Sequence, residues 1–137
     1  MTDPREPATP QEAWRRMRAK RGNEPLMPYH RMLHRVDDGF LDAYSRWYEA
    51  VMLPEGARAI SPQVRELIII ACCAATREQT GIRLHAERAR RLGVTPREIL
   101  ECVTFAAITS GMPAMRDAMA TLAEAIPELA PPPDPPA

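Results

Sequence analysis

Nine consecutive apolar residues, Leu67 to Ala75, constrain this chain more than any other stretch. The run LIIIACCAA offers an apolar surface in every direction, and a helix apolar all round is a buried helix. Nine residues are too few to span a bilayer. A start signal precedes the run: Ser61 can cap a helix, and Pro62 suits the first helical position, where its missing N–H is no loss. Glu66 stands immediately before the run and His85 follows nineteen residues later. The segment with most to bury thus lies between two groups able to move protons.

Helical periodicity dominates elsewhere. Residues 11–21 favour a short helix carrying Trp14, stopped by Gly22-Asn23-Glu24-Pro25. Residues 25–36 read as irregular or as a single turn. From Asp37 to Met52, Phe40, Tyr44, Trp47 and Val51 repeat at i, i+4, i+7 and i+11, widened by Leu41 and Tyr48, and Pro54-Glu55-Gly56 follows. The central helix should run from Pro62 to about Glu78, with Thr80-Gly81 as a turn or helix break. The next helix should reach Leu92 and end at Gly93. Thr95-Pro96-Arg97-Glu98 has the pattern of a capping box. Ser110-Gly111-Met112-Pro113 breaks that helix, and a last one covers 113–126. No segment alternates with period two, so the class is all-α, with five to six helices. The expected organisation is an N-terminal arm with a short helix over 1–24, a helical domain over 25–126, and a proline-rich, disordered tail over 127–137. Short helices from one chain enclose so apolar a central helix poorly, which predicts a homo-oligomer.

Composition narrows the partners. Eighteen basic residues balance eighteen acidic ones, and only Lys20 is a lysine. Neither a nucleic-acid arm nor an acidic-membrane patch is expected. The first ten residues have no signal-peptide core, so a cytoplasmic chain is expected. Cys72, Cys73 and Cys102 make a poor disulfide framework and should be free thiols. His30 and His34 lie four apart, but two histidines without a third ligand predict packing or surface roles, and no metal is expected.

Three sets of residues could carry chemistry. His85 falls within the apolar stripe Ile82, Ala86, Ala89 and Leu92 and should face inward, either as a core histidine donating to a carbonyl or as a proton-transfer group. Glu66 lies seven residues before Cys73, near one helical face. Beside the buried run its pKa is expected to rise, as suits a general acid or base; the alternative is a solvated carboxylate or one favouring the helix dipole. The cysteines are read chiefly as packing, with a reactive thiol at Cys73 or Cys102 as the alternative. Arg65, Arg77 and Arg83 flank the region, and an arginine there could hold a substrate carboxylate bidentately.

The stretch SPQVRELIIIACCAATREQTGIRLHAERARRLGVTPREILECVTFAAITSGMPA, residues 61–114, resembles the carboxymuconolactone decarboxylase and alkylhydroperoxidase D-like superfamily. The SPxxRELI opening, the His85 segment, the LGVTPREILE turn and the SGMPA break carry the likeness. The resemblance implies an all-α fold built on an antiparallel helical hairpin, assembled as a homotrimer or homohexamer. In the peroxidase branch a Cys-x-x-Cys precedes the histidine at seven and four residues; here those positions are Glu78 and Gly81. That branch's upstream glutamate corresponds to Glu66 and its histidine to His85. The decarboxylase branch often places a glutamate four residues before the histidine, again Gly81. Glu78 is then the expected substitute carboxylate, and Gly81 is expected to leave room in the pocket.

The implied activity is that of a cofactor-free, decarboxylase-like lyase acting on a small carboxylated lactone or related acid. His85, Glu66 and Glu78 are the expected catalytic residues, and Arg83, Arg77 and Cys73 the expected substrate contacts. Alternatives are a single-thiol redox protein and a non-catalytic helical binding protein.

Overall fold

A computed structural model describes residues 10–21, 28–51 and 59–134. These residues are all-α, as expected: α1 (Pro10–Arg21), α2 (Pro28–Val36), α3 (Asp38–Val51), α4 (Pro62–Thr76), α5 (Gln79–Arg91), α6 (Pro96–Ser110), α7 (Met112–Ala125) and a 3-10 turn, Pro127–Leu129. The breaks expected at 22–25 and 54–56, residues 1–9 of the N-terminal arm, and residues 135–137 of the tail lie outside the described residues. No described helix is long and apolar enough to cross a membrane. The chain divides into two compact units, Met1–Ala57 and Arg58–Ala137.

In the first unit α3 packs against α1 and α2. Leu41 is fully buried there, surrounded by Trp14, Leu33 and Tyr44. The helix count exceeds the expected one because residues 28–36, read as irregular, form α2. Pro28 starts it at the position proline tolerates best, and Leu33 gives it an apolar contact with α3. Asp37 then receives the Phe40 N–H at 3.2 Å and opens α3. The aromatic stripe of α3 is only partly buried. Tyr44 is half-buried, while Phe40, Trp47 and Val51 are exposed, and the buried face runs instead through Leu41, Asp42 and Ser45. His30 is buried, its ring 4.1 Å from that of Tyr29 and 5.8 Å from that of Tyr44. Among the described residues no group of three or more His, Cys, Asp or Glu could hold a metal ion.

The second unit is built on an antiparallel hairpin of α4 and α5, against which α6 and α7 pack. Ser61 caps α4, its Oγ accepting the Val64 N–H at 3.2 Å. The buried face of α4 is Glu66, Ile70 and Ala74, and that of α5 is Ile82, Ala86 and Ala89. Apart from Glu66, these residues form the core with Ile99, Val103 and Leu122. Burying each isoleucine or leucine contributes about 1.5–3 kcal/mol relative to an exposed one.

The hairpin turns earlier than Thr80-Gly81, which sit inside the first turn of α5. Arg77 takes a left-handed conformation (φ 59°), its N–H returning to Ala74 O, and the Glu78 N–H reaches Cys73 O at 2.8 Å. Gly93 has φ +85°, as its place after α5 suggests. Thr95 and Glu98 close the expected capping box: Glu98 N–H donates to Thr95 Oγ1 at 3.2 Å and Thr95 N–H to Glu98 Oε2 at 2.7 Å. The first residues of the expected tail form the 3-10 turn Pro127–Leu129. Leu129 packs on the core and Glu128 pairs with Arg90 at 2.9 Å, because both have partners to reach.

Candidate active site

Glu66 points into the hairpin because it shares a helical face with Ile70 and Ala74, one and two turns on. Its side chain is only 1% exposed. His85 comes from the facing surface of α5, between the buried Ile82 and Ala89, with its side chain 13% exposed. The two groups meet: His85 Nδ1 lies 2.6 Å from Glu66 Oε2. The Nδ1–H donates to the carboxylate, which assigns the other ring nitrogen, Nε2, as the one free to exchange protons.

The second carboxylate oxygen is also occupied. Arg65 Nε and Nη2 donate to Glu66 Oε1 at 3.2 and 3.1 Å. Burial alone would push the Glu66 carboxyl up, as the sequence suggests. The hydrogen bonds and charges of His85 and Arg65 outweigh it, and Glu66 lies below its ordinary value. The expected rise is therefore corrected: a buried carboxylate with a histidine on one oxygen and a guanidinium on the other stays ionised. Arg65 stood out in the sequence only as one of several flanking arginines. Neighbouring helical residues leave the axis about 100° apart, so spacing gave no sign of this contact.

Seven residues along each helix the surroundings change. Glu78 accepts the N–H groups of Thr80 (3.2 Å) and Gly81, capping α5 with its own side chain. The room expected above Gly81 is filled. A Cβ there would collide with the Glu78 carboxylate and lie 2.6 Å from Cys73 Sγ. Cys73 is half-buried, and burial first, then the charge of Glu78 and the neighbouring Cys72, pushes its thiol up to about 11. Cys102 is likewise raised, chiefly by burial, and its Sγ–H donates to Leu67 O at 2.8 Å. Cys72 is exposed.

The remaining predicted residues face α7. Arg83 pairs with Glu124, and Arg77 approaches Asp117 at 3.9 Å. Both pairs are solvent-exposed, and such pairs contribute at most about 1 kcal/mol. The structure thus brings together Glu66 and His85, adds Arg65, groups Glu78 with Cys73 around Gly81, and turns Arg77 and Arg83 to other partners.

The sequence pattern of the carboxymuconolactone decarboxylase family matches residues 38–124. The fold is similar to the crystal structure of a "putative carboxymuconolactone decarboxylase" from Burkholderia xenovorans LB400. The TM-score is 0.73 and the identity 27%, over 89% of this chain and 97% of that one. No curated protein matches the sequence significantly. With the family's pattern extending over most of its length and the Glu66–His85 hairpin inside the matched segment, the chain belongs to the carboxymuconolactone decarboxylase family.

Proposed function

We propose that this family member is a cofactor-independent lyase that decarboxylates a small carboxylated lactone or related acid, with His85 as its acid–base group. The observation that carries the reading is the 2.6 Å contact between His85 Nδ1 and the buried, ionised Glu66. A carboxylate held there orients the ring and stabilises it when protonated, leaving Nε2 to do the transfer. In the proposed reaction the bond between the carboxylate carbon and its neighbour breaks. Its electron pair moves into the adjacent carbonyl system as an enolate, and CO₂ leaves. His85, protonated on both nitrogens beside the Glu66 anion, then gives its Nε2 proton to the carbon, is left as the neutral Nδ1–H ring, and regains a proton on Nε2 from water. Glu78 is committed to the backbone of α5, so its assisting role is dropped from the scheme. Arg77 or Arg83 would hold the substrate carboxylate only by exchanging its partner on α7.

The single-thiol reading is disfavoured by Cys73 itself. A thiol raised to about 11 is almost wholly protonated near neutral pH, and the thiolate is the nucleophile. The test is CO₂ release across a panel of β-keto and lactone carboxylates. His85→Ala should lower turnover by about 10²-fold or more while the protein stays folded. No release by the wild type, or undiminished release by the variant, overturns the proposal.

A homo-oligomer, trimer or hexamer, is part of the same reading. The exposed apolar residues of the second unit support it: Val64 and Ile68 on α4, Phe105 (65% exposed) and Ile108 (79%) on α6, and Met112 on α7. Light scattering at micromolar protein checks this, and a monomer refutes it.

A further inference from the structure

We infer that Arg65 is a positioning residue of the Glu66–His85 pair: by occupying Oε1 it holds the carboxylate ionised and leaves Oε2 to fix His85 as the Nδ1–H tautomer. The inference rests on the proton-transfer reading of this site.

The geometry is unusual for helix neighbours. Residues i and i+1 do not face each other, so the default for Arg65 is to extend into water. Here its guanidinium folds back and places two donors, Nε and Nη2, on a single oxygen of a side chain that is 1% exposed. Arg65 itself remains 26% exposed, so it links the buried carboxylate to the surface. Burial favours the neutral acid, and the two charge-assisted contacts oppose it. Without Arg65, one of them is gone. A Glu66 carboxyl that takes up a proton can donate it to Nδ1, and the neutral ring must then carry its hydrogen on Nε2. Nε2, the nitrogen assigned to proton exchange, would then already carry its hydrogen in the neutral ring and could not take up the proton it must deliver.

Several other charges on the elements packed against α4 have partners of their own. On α7, Asp117 and Glu124 face Arg77 and Arg83. On α6, Glu98 binds Thr95 and Glu101 approaches Arg97, while the Cys102 thiol faces Leu67 O. At the start of α5, Glu78 binds backbone N–H groups, and Arg90 at the other end pairs with Glu128.

The experiment is NMR on the full chain, without substrate. Long-range ¹H–¹⁵N correlation, assigned through His85→Gln, reads the ring tautomer; ¹³C shifts of the carboxyl carbons, assigned through Glu66→Gln, read the Glu66 titration. Wherever its ring is neutral, the wild type should show a protonated Nδ1 with a bare Nε2. In Arg65→Gln the pH at which Glu66 takes up its proton should move upward, and the Nδ1–H signature should weaken or be lost. Arg65→Lys, which keeps the charge but not the fork, should retain most of the tautomer. An unchanged tautomer and an unchanged Glu66 titration in folded Arg65→Gln, or in Arg65→Ala where the glutamine variant does not fold, overturn the inference. These readouts are independent of turnover. An Arg65-dependent tautomer in a protein that releases no CO₂ would leave the positioning role standing and remove the decarboxylase reading, and CO₂ release with no Arg65 effect would do the reverse.

Discussion

Two carboxylates on one hairpin have opposite fates. Glu66, at the open end of α4 and α5, meets a histidine and an arginine. Glu78, at the closed end, meets the backbone N–H groups of Thr80 and Gly81. Glu66 is buried on α4 and Glu78 is exposed at the turn, and only Glu66 has a hydrogen-bond partner that titrates. A carboxylate bound to backbone amides organises the chain, since an amide N–H is far too weak an acid to serve in proton transfer near neutral pH. A carboxylate bound to imidazole can take part in proton transfer. The kind of partner, together with burial, separates the candidate catalytic carboxylate from the structural one.

The largest effect that would sharpen this contrast is at Glu66. Glu66→Ala leaves His85 and Arg65 without their shared counter-charge and should cost about 3 kcal/mol of stability in urea unfolding. A loss below about 1 kcal/mol, the size of an exposed ion pair, would break the comparison. The same group sets an acid limb. Unfolded, Glu66 takes up its proton near 4.5; folded, it holds out to lower pH because His85 and Arg65 favour the anion. The unfolded state therefore binds more protons in that window. The contribution of Glu66 is present above the ordinary value and is lost as pH falls through the lowered one. Glu66→Gln should flatten this part of the stability profile. Glu98, lowered by its bonds to Thr95, should leave some slope behind.

A smaller effect is expected at the closed end. Alanine in place of a helical glycine normally stabilises by about 1 kcal/mol. Gly81→Ala should instead destabilise by about 1 kcal/mol, because the new Cβ displaces the Glu78 cap and crowds Cys73. In a Glu78→Ala background the cap is already absent and the same substitution should become nearly neutral. A double-mutant cycle by thermal melting measures the difference; equal effects in both backgrounds would show that Glu78 does not occupy that space.

The features legible in the sequence were those written in local chemistry. Ser61-Pro62 and Thr95-Pro96-Arg97-Glu98 begin helices as their residue types require, and the apolar faces of α4 and α5 place Glu66 and His85 inward. What the sequence concealed depends on side-chain reach. Arg65 touches Glu66 only because its chain is long enough to curl across a helix, which no periodicity records. Glutamate is not among the favoured N-capping residues, so the role of Glu78, and with it the filled space over Gly81, had no signature. On α3 the aromatic stripe is genuine, but Leu41 and not Phe40 or Trp47 is the residue this chain encloses. Periodicity identifies an apolar face without saying what covers it.

Only Arg77 and Glu78 separate α4 from α5. Closing so short a connection costs little loop entropy, and pairings of low sequence separation are the fastest to form. Glu66 therefore reaches His85 in the same event that zips the hairpin. The two proton-handling groups form a local element of the folding pathway, and α6 and α7 dock onto a pair whose alignment is already set.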